Sequence, residues 1–422
     1  MTNNNKWLMI LGVRSGYTIP QIAEDFLKKS DAILTSKKNL SLIKNHLPKN
    51  IKIQNILRPF NKNIDWLKKQ KSQGKKIIFI ASGDPNFFGT SKIILQQFTK
   101  NKISIIPAVS IISLVAGKMG WAIEDCHHLS VHGSPVNRPV NQILHHLYHR
   151  AKIIIIGYDK KQIHQIADLL NNNDFGKSLI TIFNQLGEDD EKILQLKSQT
   201  IHPRKNLPYN FYTLAIEVLA QNPNASSQKT LMPTAGHDNM MFAHDGQITK
   251  AETRAVILAK LKPAREKILW DIGAGSGSVI IEWGLLGGQG IAIEEKKSRH
   301  QLIKQNIAHF GLEKKIITYH GSAENIMVKK NLPPPDAIFV GGGVSNEKLM
   351  TQLWQLLSDD KILLSASHSI EGFMAQLLWQ KKCGGDITTI TIEQKTPMKG
   401  SKKFHTMAMK QKTTLHLLCK TS

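Results

Sequence analysis

The sequence predicts an α/β protein of two consecutive domains. Short apolar runs alternate with stretches of helical periodicity along most of the chain, a polar segment near the middle interrupts that alternation, and one glycine-rich loop joins a buried strand pattern to a helix pattern. With 422 residues, 41% of them hydrophobic, the chain is long enough for two or three cores. No apolar run approaches the roughly 18 residues of a membrane span. The start, Met1-Thr-Asn-Asn-Asn-Lys6, lacks the basic and apolar regions of a signal peptide, and Cys126, Cys383 and Cys419 lie far apart without metal spacing. A cytoplasmic protein with free thiols, no metal and no membrane association is expected.

In the first domain, Lys6 to Val13 reads as a short buried strand, and Thr18 to Leu27 as a helix capped by Thr18 with an early proline. Asp31 to Leu34 and Lys52 to Leu57 are further strands. Lys76 to Ala81 is an unbroken apolar strand that runs into Ser82-Gly-Asp-Pro-Asn-Phe-Phe-Gly-Thr90, and polar glycine- and proline-containing sequence at the end of a buried strand is where open α/β sheets bind ligands. Strands at Ile103 to Pro107, Leu129 to Gly133, Lys152 to Ile156, Leu179 to Phe183 and Phe211 to Leu219 follow, with helices at Ser110 to Met119 and through Ile163, Ile166 and Leu170. Gln221-Asn-Pro-Asn-Ala-Ser-Ser-Gln228 is a polar linker, which divides the chain into domains at 1–222 and 231–422.

The second domain opens with Asp245-Gly-Gln-Ile-Thr-Lys-Ala-Glu-Thr-Arg254, where Thr249 and Glu252 have capping-box spacing ahead of a helix. Leu269-Trp-Asp-Ile-Gly-Ala-Gly-Ser-Gly-Ser278 is a strand running into a loop with Gly273, Gly275 and Gly277 at alternate positions. Without Cβ atoms, such a loop lets main-chain amides and a helix N-terminus approach a polar ligand, although a plain tight turn has the same composition. A dinucleotide fingerprint needs glycine at position 278, which is Ser278. Gln289 to Glu295 reads as the next strand, whose Glu294 is placed to accept ribose hydroxyls. Loop, spacing and Glu294 together resemble the S-adenosylmethionine (SAM) site of Rossmann-like methyltransferases, with Asp271 orienting the loop and the methionine end. Strands at Ile316 to Tyr319, Asp336 to Val340 and Lys361 to Leu364 complete a doubly wound domain.

Other motifs argue for less. Asn206-Leu-Pro-Tyr209 looks like an adenine N-methyltransferase tetrapeptide but precedes the glycine loop and follows no strand. His145 and His149 are four residues apart without the glutamate of a zinc motif, so an exposed helix face is expected. The net charge of +24 suits nucleic acid, a small polyanionic substrate, or merely a lysine-rich proteome; the lysine pairs are scattered and form no stripe.

Along almost its whole length the chain resembles one family, the fused precorrin-6Y C5,C15-methyltransferases (decarboxylating) of cobalamin biosynthesis. The first half is similar to tetrapyrrole methylases through Ala81-Ser-Gly-Asp-Pro-Asn-Phe-Phe-Gly89, Pro107-Ala-Val-Ser110, Met119-Gly-Trp-Ala-Ile-Glu-Asp125 and Ser130-Val-His-Gly133. The second is similar to the C15-methylating, decarboxylating domain through Asp245 to Lys250, Leu269 to Ser278 and Pro335-Asp-Ala-Ile-Phe-Val-Gly-Gly-Gly343. The resemblance implies a two-lobed tetrapyrrole methylase fold followed by a Rossmann-like class I SAM methyltransferase domain.

It further implies one SAM site per domain. The second domain's site would use Thr249, Asp271, Gly273, Ala274, Gly275, Ser276, Gly277, Glu294 and Ala323, and the first domain's would use Gly83, Asp84 and Pro85. The implied activity is methylation of a reduced precorrin-6 at C5 and C15 with loss of CO₂ from an acetate side chain, giving precorrin-8, by a homo-oligomer that binds neither nucleic acid nor membrane. The competing reading is an RNA or DNA methyltransferase. The chain departs from the family pattern in Gly12-Val-Arg-Ser-Gly16, where Arg14 replaces a glycine, and in Ala366-Ser-His-Ser-Ile-Glu371, which lacks the usual asparagine. Arg14, Lys250 and Arg254 are candidates for the substrate's carboxylates, and no general base is named.

Overall fold

Residues 6–16, 18–132, 140–202, 207, 211–223, 231, 234–397 and 405–420 are described by the computed structural model. Asn206 and Pro208 to Tyr209 of the tetrapeptide, most of the linker after Pro223, and Gly133 lie outside them. Contacts gather the described chain into two compact units. One holds the first two sheets below. The other holds the chain from Ala220 onward, together with a stretch containing a 3₁₀ turn at Val140–His146 and with His164–Gly176.

The first sheet is parallel throughout. Its strands are β1 (Leu8–Val13), β2 (Ala32–Thr35), β3 (Lys52–Asn55), β4 (Ile77–Ser82) and β5 (Ile103–Ile106), in the order β3-β2-β4-β1-β5. Helices α1 (Gln21–Lys28), α2 (Lys37–Leu42), α3 (Asn61–Ser72), α4 (Ser91–Leu95) and α5 (Ile111–Met119) connect or follow these strands. Because the sheet is covered on both faces, β1 is buried at every residue: Leu8 and Ile10 join one core, Met9, Leu11 and Val13 the other. Helix α1 starts after Pro20, so Thr18 is not its cap, and fixed-φ Pro20 makes the transition instead. Ser110 caps α5, accepting the Ser113 amide at 3.0 Å.

The second sheet is mixed. Strands β6 (Cys126–Ser130), β7 (Lys152–Gly157), β8 (Leu179–Asn184), β9 (Lys192–Lys197) and β10 (Tyr212–Glu217) lie in the order β6-β7-β10-β8-β9, with α6 (Lys160–Asn172) between β7 and β8; only the β6 and β7 pair is parallel. The edge strand β9 was not expected from the sequence. It carries a lysine at each end and no buried residue, which suits an edge that must stay in water.

The third sheet forms the carboxyl-terminal domain. After α7 (Ala251–Leu261) come β11 (Ile268–Ile272), α8 (Ser278–Leu285), β12 (Gln289–Glu294), α9 (Lys297–His309), β13 (Ile316–His320), α10 (Ala323–Lys329), β14 (Ala337–Val340), α11 (Glu347–Leu356), β15 (Ile362–Ser367), α12 (Ile370–Cys383), β16 (Asp386–Pro397) and β17 (His405–Cys419). The order is β13-β12-β11-β14-β15-β17-β16, parallel except for β17, which is antiparallel to both neighbours. Successive β11 residues feed opposite cores: Leu269 packs with α7, α8 and α9, whereas Trp270 and Ile272 pack with α10, α11 and α12. The strand order reverses at β11, and open α/β sheets bind ligands beyond the carboxyl end of the strand at that switch point.

Two expectations are corrected here, and one feature is new. Helix α7 is capped by Lys250 without a side-chain bond, because the Arg254 amide closes its first turn on the Lys250 carbonyl; the Thr249 and Glu252 capping box does not form. His145 and His149 form no exposed helix face: His145 Nε2 lies 2.7 Å from the Phe310 carbonyl, and His149 Nδ1 accepts the Ala220 amide at 3.3 Å. The hairpin of β16 and β17 was not anticipated. Residues His405 to Thr413 pair with β16 alone, so the hairpin runs past β15 as a two-stranded ribbon.

Candidate active sites

At the end of β11 all three loop glycines have left-handed φ, +67° at Gly273, +60° at Gly275 and +78° at Gly277. A Cβ on Gly273 would lie 3.1 Å from the Gly342 amide, in the glycine run after β14, and one on Gly277 would lie 3.2 Å from Ile303 of α9. A Cβ on Gly275 would meet no protein atom within 4 Å, so this glycine faces the open side of the loop. The Gly273 and Ala274 amides donate to the Ile293 carbonyl at 3.0 and 3.2 Å, and the Ala274 side chain packs on the core. Ser276 and Ser278 are buried, and Ser278 opens α8 with an amide that has no intrahelical acceptor.

Glu294 ends β12 and is 5% exposed. One carboxylate oxygen accepts the Gly275 amide at 2.8 Å and the other the Lys296 amide at 2.9 Å, so the residue expected to meet a ribose also braces the loop. Each oxygen keeps a second lone pair for a hydroxyl. Ala323 is the buried first residue of α10, in the turn after β13, where the Gly321 amide donates to the Glu294 carbonyl at 3.0 Å. The structure thus brings the glycine loop, Glu294 and Ala323 to one edge of the sheet. Asp271 lies beneath, 1% exposed, and no hydrogen bond of ordinary geometry reaches either of its oxygens among the described residues. Burial pushes its pKa from 3.8 to about 7; the Ile280 amide pulls the other way and the Glu294 charge adds to the rise.

Arg254 does not serve a substrate. It is fully buried, with Nε 2.6 Å from Glu282 Oε1, and its other donors go to the carbonyls of Thr249 and His237 and to Asn239 Oδ1 at 3.3 Å. Glu282 also accepts the Gly236 and His237 amides at 2.8 and 2.9 Å. Burial opposes its ionisation but is outweighed by bonds from His237, Arg254 and Gly236, which hold the carboxyl below its ordinary range. The stretch carrying Thr249 is therefore bound to α7 and α8. Lys250 is exposed at the mouth of α7 and stays available. Sequence reasoning missed Glu282, Arg299 and Asn306; the readable signal was a lone carboxylate in the apolar run Val279-Ile-Ile-Glu-Trp283.

A cavity of about 510 Å³ lies in the other unit. Arg14, Gly83, Asp84 and Phe88 line it from the first sheet, and Gly157, Gln185, Phe211 and Tyr212 from the second. Its floor is tight: the Gly83 amide donates to Val13 at 2.8 Å, the Ala108 amide to Gly83 at 3.3 Å, and any side chain on Gly12 would collide with the Gly83 carbonyl. Asp84 faces the cavity, with Oδ1 accepting the Asn86 amide at 2.8 Å. Pro85 does not line it. This residue is buried, and its carbonyl accepts the Ser91 hydroxyl at 2.6 Å, so it fixes the turn from below.

Arg14 leaves the end of β1 and reaches the loop after β8, where its guanidinium occupies the space a side chain on Gly187 would need. Beside it Lys38 and Glu188 pair at 3.2 Å. Phe88 and Phe211, exposed at the wall, both have left-handed φ, +51° and +61°, a strained setting that clusters at ligand sites. Phe211 also packs edge-on against Tyr158 at 4.6 Å, with His132 6.0 Å away.

Comparison with known proteins gives both halves a relative. Residues 12–202 match the tetrapyrrole (corrin/porphyrin) methylases, and residues 240–415 match the precorrin methyltransferase domain. The carboxyl-terminal domain of precorrin-6Y C5,15-methyltransferase from Rhodobacter capsulatus, a crystal structure, is 34% identical with a TM-score of 0.42, covering 44% of this chain and 99% of that one. A precorrin-6Y C(5,15)-methyltransferase (decarboxylating) of Mycobacterium tuberculosis is 26% identical over 318 residues, 74% of this chain and 76% of the relative. One from Sinorhizobium is 34% identical over 331 residues, which are 78% of this chain and 77% of its own. With that coverage spanning both halves, the chain belongs to the family of precorrin-6Y C5,15-methyltransferases (decarboxylating).

Proposed function

We propose that this chain methylates a reduced precorrin-6 at C5 and C15, using SAM, and removes the carboxyl group of an acetate side chain to give precorrin-8. The observation that carries the reading is that the two halves of one chain match two different methyltransferase families, the tetrapyrrole methylases and the precorrin methyltransferase domain. The division of labour follows the chain: 1–222 serves C5, and 231–422 serves C15 and the decarboxylation.

The donors and acceptors at β11 and β12 suit a nucleoside with a charged amino-acid tail. Glu294 would accept ribose hydroxyls, the Ala323 amide would meet the adenine edge, and the first-turn amides of α8 would meet the carboxylate. Thr249 would close the methionine end, and Asp271 would sit below the loop as its neutral or charged form. When bound, SAM supplies an electrophilic methyl group. A reduced tetrapyrrole's meso carbon is already nucleophilic, so the protein's contribution is alignment, which is worth several kcal/mol, about 7–11 at best. Gly83 and Asp84 would hold a second SAM in the cavity, while Arg14 and Lys250 would bind substrate carboxylates. Decarboxylation uses the conjugated ring as electron sink, and no side chain here is assigned as its acid or base.

Among the described residues no helix is long and apolar enough to cross a membrane. A cytoplasmic setting is proposed on the free thiols of Cys126, Cys383 and Cys419. The ribbon of β16 and β17, with Met407 and Met409 exposed, supports a homo-oligomer, since an isolated two-stranded ribbon is marginal. A small polyanionic substrate, and no nucleic acid, accounts for the scattered positive charge. Incubation with SAM and reduced precorrin-6 should give, by mass spectrometry, a product with two methyls gained and one CO₂ lost. Methyl transfer to RNA in place of the tetrapyrrole would favour the competing reading.

A further inference from the structure

The stretch from Gly236 to Lys250 has no regular structure apart from one 3₁₀ turn, at Asn239–Met241, yet three helices hold it. Glu282 of α8 binds its first two amides, Arg254 of α7 binds the carbonyls of His237 and Thr249, and Arg299 of α9 donates to Asp245 Oδ2 at 2.8 Å and to Gln247. Asn306, also on α9 and 1% exposed, does something further. Its Oδ1 accepts the Ala243 amide at 2.8 Å, and its Nδ2 donates to the Ala243 carbonyl and to the Ser276 carbonyl, both at 2.9 Å. The orientation of the amide is fixed by this network, because the reversed one would set oxygen against two carbonyls.

The loop amides of Gly273, Ala274 and Gly275 are tied to β12, by Ile293 and Glu294. Among the described residues, the hydrogen bond to the Ser276 carbonyl comes from Asn306, which also grips the stretch carrying Thr249. A three-glycine loop has much backbone entropy to lose, so a restraint at its far side sets where that side rests.

We propose that Asn306 is a positioning residue that couples the Gly236 to Lys250 stretch to the glycine loop, so that the two walls around the methionine end of the cofactor are held as one body. Asn306 makes no hydrogen bond to Glu294 or Ala323 at the adenosine end, which it meets only through the loop. This inference rests on the SAM reading of the site.

Hydrogen exchange of the intact chain, followed by mass spectrometry of peptides covering Ile268 to Trp283 through separate titrations with SAM and adenosine, reports this site apart from the first half's. In Asn306→Asp the shape is kept and the Ala243 amide is still accepted, but both donated bonds are lost. The expected result is a SAM midpoint raised about tenfold or more, with the adenosine midpoint moved less than about threefold. Equal shifts for the two ligands, or no shift for SAM, would overturn the coupling. If that variant does not fold, Arg299→Gln, which loosens the stretch nearer the surface, should raise the SAM midpoint about two- to fivefold and leave adenosine unchanged; an unmoved SAM midpoint overturns the proposal there too. Absence of SAM protection in the unaltered chain would instead remove the cofactor reading itself.

Discussion

Around the glycine loop of β11 the hydrogen-bonding groups are main chain, or buried side chains that other buried groups already fix. The cavity of the first half is lined differently, by side chains from two sheets, among them half-exposed Arg14 and an ion pair, Lys38 and Glu188, near its rim. One site is shaped by the core of its domain and should tolerate little change. The other joins a main-chain floor at Gly83 and buried Tyr212 to side chains at its rim, such as Arg14, Lys38 and Phe211, and its specificity should be adjustable at those rim positions at small cost in stability.

The largest effect that would test this contrast is Arg254→Ala. It leaves the Glu282 carboxylate buried without its guanidinium, with the Gly236 and His237 amides and the His237 ring as its remaining partners, and breaking such a pair costs about 3–5 kcal/mol. In urea, exchange of the β11 to β15 amides should rise at lower denaturant while β1 and β4 amides are unaffected; parallel loss in both sheets would blur the distinction. Next comes pH. Burial raises the Asp271 pKa to about 7 in the folded state, against 3.8 for the solvated carboxyl of the unfolded chain, so the folded state binds the extra proton between those values. Stability from this group is therefore present at low pH and declines as pH rises to about 7. Asp271→Asn should abolish that decline and be more stable at pH 8 by about 2–4 kcal/mol, read from urea midpoints.

A smaller effect is expected for Glu294→Gln, which loses a charge-assisted acceptor for the ribose and weakens the Gly275 bond. SAM affinity at this site should fall by the equivalent of about 1.5–3 kcal/mol, with no change at the first site, as calorimetry would show. The smallest is Lys38→Ala. Exposed ion pairs contribute about 0–1 kcal/mol, so stability should barely move, whereas the KM for the tetrapyrrole should rise a few fold and become less sensitive to salt.

The positions of the glycine loop and of Glu294 were legible because positive φ favours glycine and because a carboxylate that closes an apolar strand needs donors, which here include the Gly275 and Lys296 amides. The roles of Arg254, Thr249 and Pro85 were not legible in the same way. Helical spacing places Arg254 one turn into α7 but cannot say whether that face meets solvent or Glu282, which lies 28 residues on. Thr249 has a capping residue's spacing, yet the cap position falls at Lys250. Pro85 follows Gly83 and Asp84 directly but is buried and does not line the cavity as they do. The strands β9, β16 and β17 alternate apolar and polar residues, as in Ile390-Thr-Ile392, a pattern of half-buried strands that the apolar runs of the parallel strands overshadowed. Asn306 could not be read at all, since its three bonds go to backbone groups brought together by the fold.

The most direct test of the division between the two sites is product analysis of the intact chain beside Glu294→Gln, each incubated with SAM and reduced precorrin-6 and examined by mass spectrometry. The unaltered chain should yield a product with two methyls gained and one CO₂ lost, and the variant, at SAM concentrations below its weakened affinity, a product with one methyl gained and every carboxylate retained. Loss of both methylations in the variant, or decarboxylation continuing undiminished without the second methyl, would contradict the assignment of C15 methylation and decarboxylation to the glycine-loop site.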